Sequence, residues 1–204
     1  MKKRIIFIFL FLILVLLTGC EKKVRLDKLD DLGKFLYYYN NSENYQIETK
    51  EEIFLIPGST TPTKTIMILK EFDDDIIKTT FNDIISWEVV KDDGKYICSY
   101  DENGELITEF ISDAKIDKMI FDFIEKYERN DFDLIDGLYY LKESSFSKIK
   151  SNDNIELKEV SIEVAPGGTK GTIYYSLVEA GINANVTVSY SNLDMVELTS
   201  PINK

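Results

Sequence analysis

The sequence predicts an α+β fold: one large curved antiparallel sheet, covered on one face by an N-terminal helix and a mid-chain helix. Three observations carry this. Two stretches repeat apolar residues at three- and four-residue spacing, the signature of amphipathic helices. Most of the rest alternates apolar and polar residues with period two, as half-buried strands do. Asp- and Asn-Gly pairs separate several of the alternating pieces, which is the chemistry of antiparallel turns. A sheet with both helical stripes on one face buries the stripes and one set of strand side chains together.

The first stripe, Leu26, Leu29, Leu32, Leu36 and Tyr39, predicts a helix from about Leu26 to Tyr39, ended by Asn40-Asn41-Ser42. Its last turn is surrounded by Phe35, Leu36, Tyr37, Tyr38 and Tyr39. These aromatics belong to the core and its rim, or to the mouth of an apolar pocket. Strand-like pieces follow over Tyr45 to Ile56, Thr65 to Glu71, Ile76 to Phe81, Ile84 to Val90, Lys95 to Tyr100 and Glu105 to Ile111. Pro57-Gly58, Asp73-Asp74-Asp75, Asp92-Asp93-Gly94 and Asp101-Glu102-Asn103-Gly104 interrupt them. The result reads as a meander.

The period then changes. Ile116, Met119, Ile120, Phe123, Ile124 and Tyr127 form the second helical stripe, with Ser112 or Asp113 placed to cap it and Asn130-Asp131 to stop it. Phe132 to Ile149 is apolar without a single period and reads as loop or short helix. Strands return with Ile155 and Leu157, then Val160, Ile162 and Val164. The phase shift between Leu157 and Val160 predicts a bulge or two pieces. Pro166-Gly167-Gly168 turns the chain into Gly171 to Glu179, and Ala180-Gly181 leads to Ala184 to Tyr190. Met195, Glu197 and Leu198 suggest a final short strand before Pro201.

Ahead of this domain, Lys2, Lys3 and Arg4 precede an unbroken apolar run from Ile5 to Leu17, 13 residues long, and then Leu17-Thr18-Gly19-Cys20. A membrane-crossing helix needs roughly 20 apolar residues, so the run suits a cleaved secretory signal. The cysteine at the cut resembles the lipobox of bacterial lipoproteins. That resemblance implies cleavage before Cys20, a diacylglycerol thioether on its sulfur, and a fatty acyl group such as palmitate on the new amine. Two or more buried chains hold a protein stably at the membrane, at about 0.8 kcal/mol per CH₂. The alternatives are a retained membrane anchor or a secreted form cut elsewhere. The expected organisation is a signal over residues 1–19, a lipidated tether over 20–25 and one domain over 26–204, facing the extracytoplasmic side of the cell membrane.

Removing residues 1–19, with their three cations, leaves 185 residues and takes the net charge from −12 to −15. That length supports one domain with a sizeable core. The negative charge argues against nucleic acid, whose phosphates need Lys and Arg, and against broad contact with anionic lipid heads. Its simplest meaning is solubility. The chain has two cysteines. With Cys20 lipidated, Cys98 has no disulfide partner, and its strand-like surroundings, Lys95 to Tyr100, predict a small buried apolar residue. The absence of histidine excludes His-based triads and His-ligated zinc.

The order of elements, with a lipobox in front, resembles the lipoprotein carrier (LolA/LppX-like) superfamily. The closing segment carries most of the likeness: Ala184-Asn185-Val186-Thr187-Val188-Ser189-Tyr190-Ser191-Asn192-Leu193, then Met195-Val196-Glu197-Leu198 and Pro201. Lys95-Tyr96 ahead of the turn at Asp101 to Gly104 adds to it. The resemblance implies an incomplete barrel with helices over its concave face and a cavity for lipid or another hydrophobic ligand. An inner face would draw on Ile53, Leu55, Ile66, Leu69, Val89 and Leu29. The ligand-binding residues it points to are Leu36, Phe54, Ile68, Trp87, Tyr96, Phe123 and Ile124. An ordinary filled core would use the same residues.

No residue set identifies a reaction. Asp73-Asp74-Asp75 and Asp101-Glu102-Asn103-Gly104-Glu105 lack the ligand spacing of a calcium loop and read as solvated turns. Asp131, Asp133 and Asp136-Gly137 are equally unspecific. No Gly-rich phosphate loop or nucleophile motif is present. The expectation is a non-enzymatic lipoprotein with no cofactor and no metal site. Its partners are the membrane, through lipid on Cys20, and a lipid or hydrophobic ligand. The alternative is a surface or structural lipoprotein with a filled core and a protein partner.

Overall fold

The computed structural model describes residues 24–112, 127–148, 155–179 and 181–202. It contains one open 11-stranded antiparallel sheet. The strands are β1 (Asn44–Phe54), β2 (Lys64–Asp73), β3 (Ile76–Phe81), β4 (Ile84–Lys91), β5 (Gly94–Tyr100), β6 (Leu106–Ile111), β7 (Phe132–Ile135), β8 (Leu138–Leu141), β9 (Ile155–Val164), β10 (Gly171–Glu179) and β11 (Ile182–Ser191). Their spatial order is β6-β5-β4-β3-β2-β1-β11-β10-β9-β8-β7. Two meanders therefore run outward from a central pair, β1 against β11, and the sheet ends at β6 and β7.

The first helix is shorter than its apolar stripe suggests. Leu26–Lys28 forms a single 3₁₀ turn, and the α-helix, α1, spans Asp31–Asn41. Asp30 supplies the break. Its backbone is extended and its carboxylate accepts from the Gly33 N–H at 2.9 Å, so the helix starts at this N-cap. The mid-chain stripe from Ile116 to Ile124 lies outside the described residues; Tyr127 at its end is buried.

Phe132 to Leu141 is a hairpin, contrary to the expected loop or short helix. Asp136 and Gly137 turn it with φ of 50° and 87°, the left-handed pair of a type I′ turn. Its strands of four residues each are too short to declare a period. A 3₁₀ helix, Glu143–Lys148, follows. The predicted irregularity before Val160 is present: Ser176 opposes Glu159 while Leu177 opposes Leu157. The expected last strand at Met195 to Leu198 is absent. That segment instead ties to the sheet through single bonds, Asp194 N–H to Asn44 O at 2.7 Å and Leu198 N–H to Asp73 Oδ2 at 2.6 Å.

α1 lies on one face of the sheet, called here the helix face. It docks over β10, where Gly171 leaves room for the ring of Phe35; a Cβ there would stand 2.6 Å from that ring. Gly168, at φ 77°, brings the preceding turn against the helix backbone, and the Gly167 N–H donates to Asp31 at 2.9 Å. Leu32, Phe35, Leu36 and Tyr39 pack on Ile173, Val188 and Tyr190 to form the core. Tyr39 meets Tyr190 edge-on at 5.0 Å, and Tyr45 stacks on Phe72 at 4.6 Å. Arg129 closes one end: it bonds Asp30, donates to the Phe132 carbonyl at 2.8 Å and stacks over Tyr139.

Candidate functional site

Directly opposed residues of an antiparallel pair share a face. The register therefore assigns every strand residue to the helix face or to the outer face. From Thr49, one helix-face row runs through Ile68, Phe81 and Ile84. The next row runs through Ile47, Lys70, Thr79, Ser86, Ser99 and Ile107. A third begins with Tyr45, Phe72 and Ile77, which the core covers, and goes on to Glu88 and Ile97.

The core stops along this third row. Ile77 is 1% exposed, but Phe81 is 38%, Ile107 54% and Ile84 66% exposed on the same face. The half of the sheet formed by β2–β6 thus presents apolar side chains to solvent beside a filled core. Asn82 and Asp83 set the phase, both with positive φ in a two-residue turn that makes Phe81 and Ile84 direct partners.

The outer face of the same half has its own small cluster. Val89 and Cys98 are buried there, as expected for Cys98. Trp87 meets Tyr100 at 5.5 Å, and Tyr96 meets Phe110 at 5.1 Å. A hydrogen bond from Tyr96 to Asp93 at 2.7 Å is the main reason the Tyr96 hydroxyl sits above its ordinary pKa.

These assignments divide the expected ligand-binding residues. Leu36 is buried in the core and Ile68 lies partly buried in the helix-face row. Phe54, Trp87 and Tyr96 lie on the outer face, as do Leu69 and Val89. Leu55 is exposed beyond the end of β1. Phe123 and Ile124 lie outside the described residues. The expectation of one common lining fails because face follows odd or even position in register, which apolarity alone does not reveal. Sequence reasoning missed Phe81, Ile84 and Ile107. Phe81-Asn82-Asp83-Ile84 carried the signal for the first two, since a two-residue turn fixes the pairing of its flanks.

Buried hydroxyls on the helix face are kept neutral. Burial raises the Tyr175 pKa strongly, and Tyr190 and Glu51 add to it. Burial, aided by Asp131, pushes Tyr127 up to about 12. Asp131 is held by the Ser145 hydroxyl at 2.7 Å and the Glu128 N–H at 2.8 Å.

Two clefts lie elsewhere. One of about 490 Å³ sits where Asp73, Asp74 and Asp75 and the end of β4 meet Leu198, Thr199 and Ser200. The other, about 360 Å³, is polar and lies over Glu52, Glu159, Ser161, Tyr174, Ser176 and Thr187. Among the described residues no three Cys, Asp or Glu side chains are grouped to hold a metal, and no helix is long and apolar enough to cross a membrane. A scan against protein-family models finds no match for the chain, and a search among curated proteins finds no relative.

Proposed function

We propose that the chain is a membrane-anchored, extracytoplasmic lipoprotein that binds lipid or another hydrophobic ligand without catalysis. The carrying observation is the helix face of β2–β6, where Phe81, Ile84 and Ile107 stand exposed next to a core that covers the other half of that face. Burying such a surface under an acyl chain is favourable at roughly 25 cal/mol per Å² of apolar area removed from water. The signal-like N-terminus and Cys20 support the anchor. Lipid extraction and mass spectrometry of the full chain purified from its own membranes test the ligand: an apolar molecule at near-stoichiometric level is expected, and an empty protein overturns the reading. Replacing Cys20 with Ser is expected to leave the precursor uncut and unlabelled by fatty acid; a still-labelled Cys20→Ser chain overturns the anchor.

A second reading, a surface lipoprotein with a protein partner, has its own observation. Tyr100, Leu106 and Phe110 are exposed on the outer face beside β6, an edge strand carrying neither Lys nor Pro. Such edges accept a further strand. Cross-linking that maps to β6 and a helix face that binds no lipid would select this reading.

A further inference from the structure

We propose that the helix face holds the phosphate of an anionic phospholipid at Lys70. The inference rests on the reading of this face as a hydrophobic-ligand site and names the class of ligand. Lys70, Thr79, Ser86 and Ser99 are consecutive cross-strand partners on β2, β3, β4 and β5. All four are partly buried. Adjacent strands are about 4.8 Å apart, so the row crosses ~14 Å of sheet. It offers three N–H donors from the ammonium and one O–H from each hydroxyl.

Register surrounds Lys70 with apolar groups. Its neighbours on the helix face are Ile47 across β1, Ile68 and Phe72 along β2, and Ile77 and Phe81 diagonally on β3. Ion pairs among the described residues engage Lys50, Lys78, Lys95 and Lys142, and Lys70 is in none of them. The described acids of this face are placed away from it. Glu51 lies four residues along β1 from the Lys70 partner Ile47, about 13 Å away at strand rise. Glu88 is bonded to Lys95 at 2.9 Å, and Glu109 lies four strands over, opposite Ile97. Among the described residues Lys70 thus stands partly buried and outside every ion pair, beside a line of hydroxyls and an exposed apolar row.

That juxtaposition fits an amphiphile with an anionic, hydroxyl-accepting head. A phosphodiester suits Lys70, and a polyol head extends along Thr79, Ser86 and Ser99. The acyl chains lie over Ile68, Phe81 and Ile84. The overall negative charge disfavours broad contact with an anionic membrane surface, so the attraction for a single head rests on the local ammonium of Lys70.

Native mass spectrometry of the full chain tests this with two short lipids, dioctanoyl phosphatidylglycerol and dioctanoylglycerol, and with inorganic phosphate. A charge-assisted contact gives an expected preference of about 10-fold for the phospholipid. Lys70→Gln should erase that preference and Lys70→Arg should keep most of it. Thr79→Val should lower it several-fold. Lys50→Gln, on the outer face, should leave it unchanged. Equal binding of both lipids, unaffected by Lys70→Gln, overturns the headgroup site but leaves the hydrophobic-ligand reading standing. Binding of neither lipid overturns both. Inorganic phosphate binding as tightly as the phospholipid, or an equal loss in Lys50→Gln, also overturns the phospholipid assignment.

Discussion

Beneath α1, the helix face of β9–β11 carries Ile162 and Ile173 at 0% exposure, while four to six strands away the same face carries Ile84 at 66%. Both regions are built of alternating apolar residues on one continuous sheet. They differ in what lies above them. Over β10 the chain provides glycines, Gly168 and Gly171, that let a helix approach closely, and an aromatic, Phe35, that fills the space they leave. Over β4 the register places Ser86 and Glu88 next to Ile84 on the same face, so the row is interrupted by polar groups. On β4 and β5 the buried side chains, Val89 and Cys98, lie on the opposite face, and the helix-face core reaches this half only at Phe72 and Ile77. One half of the sheet is committed to stability. The other keeps apolar surface that the described fold does not use.

The largest expected difference between the halves is in stability. Phe35→Ala removes a fully buried ring and should cost about 3–5 kcal/mol in urea or guanidinium unfolding, whereas Phe81→Ala should cost less than about 1 kcal/mol. Equal losses would mean that β2–β6 are as tightly covered as the core.

The next is a pH effect from the buried hydroxyls of the packed half. Tyr127 is raised from 10.0 to about 12 by burial and by Asp131. A hydroxyl whose folded pKa lies above its unfolded value contributes stability that is complete below pH 10 and lost as pH climbs through the folded value. Unfolding midpoints should therefore fall between about pH 10 and 12, by up to roughly 2 kcal/mol from this group. Tyr127→Phe should flatten that part of the profile. An unchanged alkaline limb would assign it to other groups, Tyr175 first.

Gly137→Val tests the short hairpin at the β7 edge. A β-branched residue at φ 87° should cost about 1–3 kcal/mol, with Asp136 held at φ 50° beside it. A neutral result would show that β7–β8 does not contribute to the cooperative unit.

The smallest stability effect should accompany the largest functional one. Ile84→Asp, at an exposed site, is expected within about 0.5 kcal/mol of the parent in unfolding assays yet to abolish co-purification of lipid. Retained lipid would move the ligand off this face.

Much of the fold was legible in the sequence because its signals are local. Ile76–Phe81 and Gly171–Glu179 were delimited to the residue by alternation and flanking turns, and the bulge before Val160 by a break in phase. The Asp136-Gly137 hairpin was equally local but its strands are too short to show a period. Leu26 to Tyr39 read as one helix because apolar spacing continues through Asp30, while the capping bond of that residue starts a new one.

The sequence by itself determined a signal-like start, an acidic composition, and an antiparallel sheet with helical cover, since turns and periods depend on neighbouring residues. Only the tertiary structure decided which of two adjacent residues faces α1. A shift of one position reverses every side chain in a strand, and the register that prevents it is set by pairing across the whole sheet. That is why Ile68 and Trp87, alike in apolarity, stand on opposite faces, and why Lys70, Thr79, Ser86 and Ser99, scattered over 30 residues of chain, form one row.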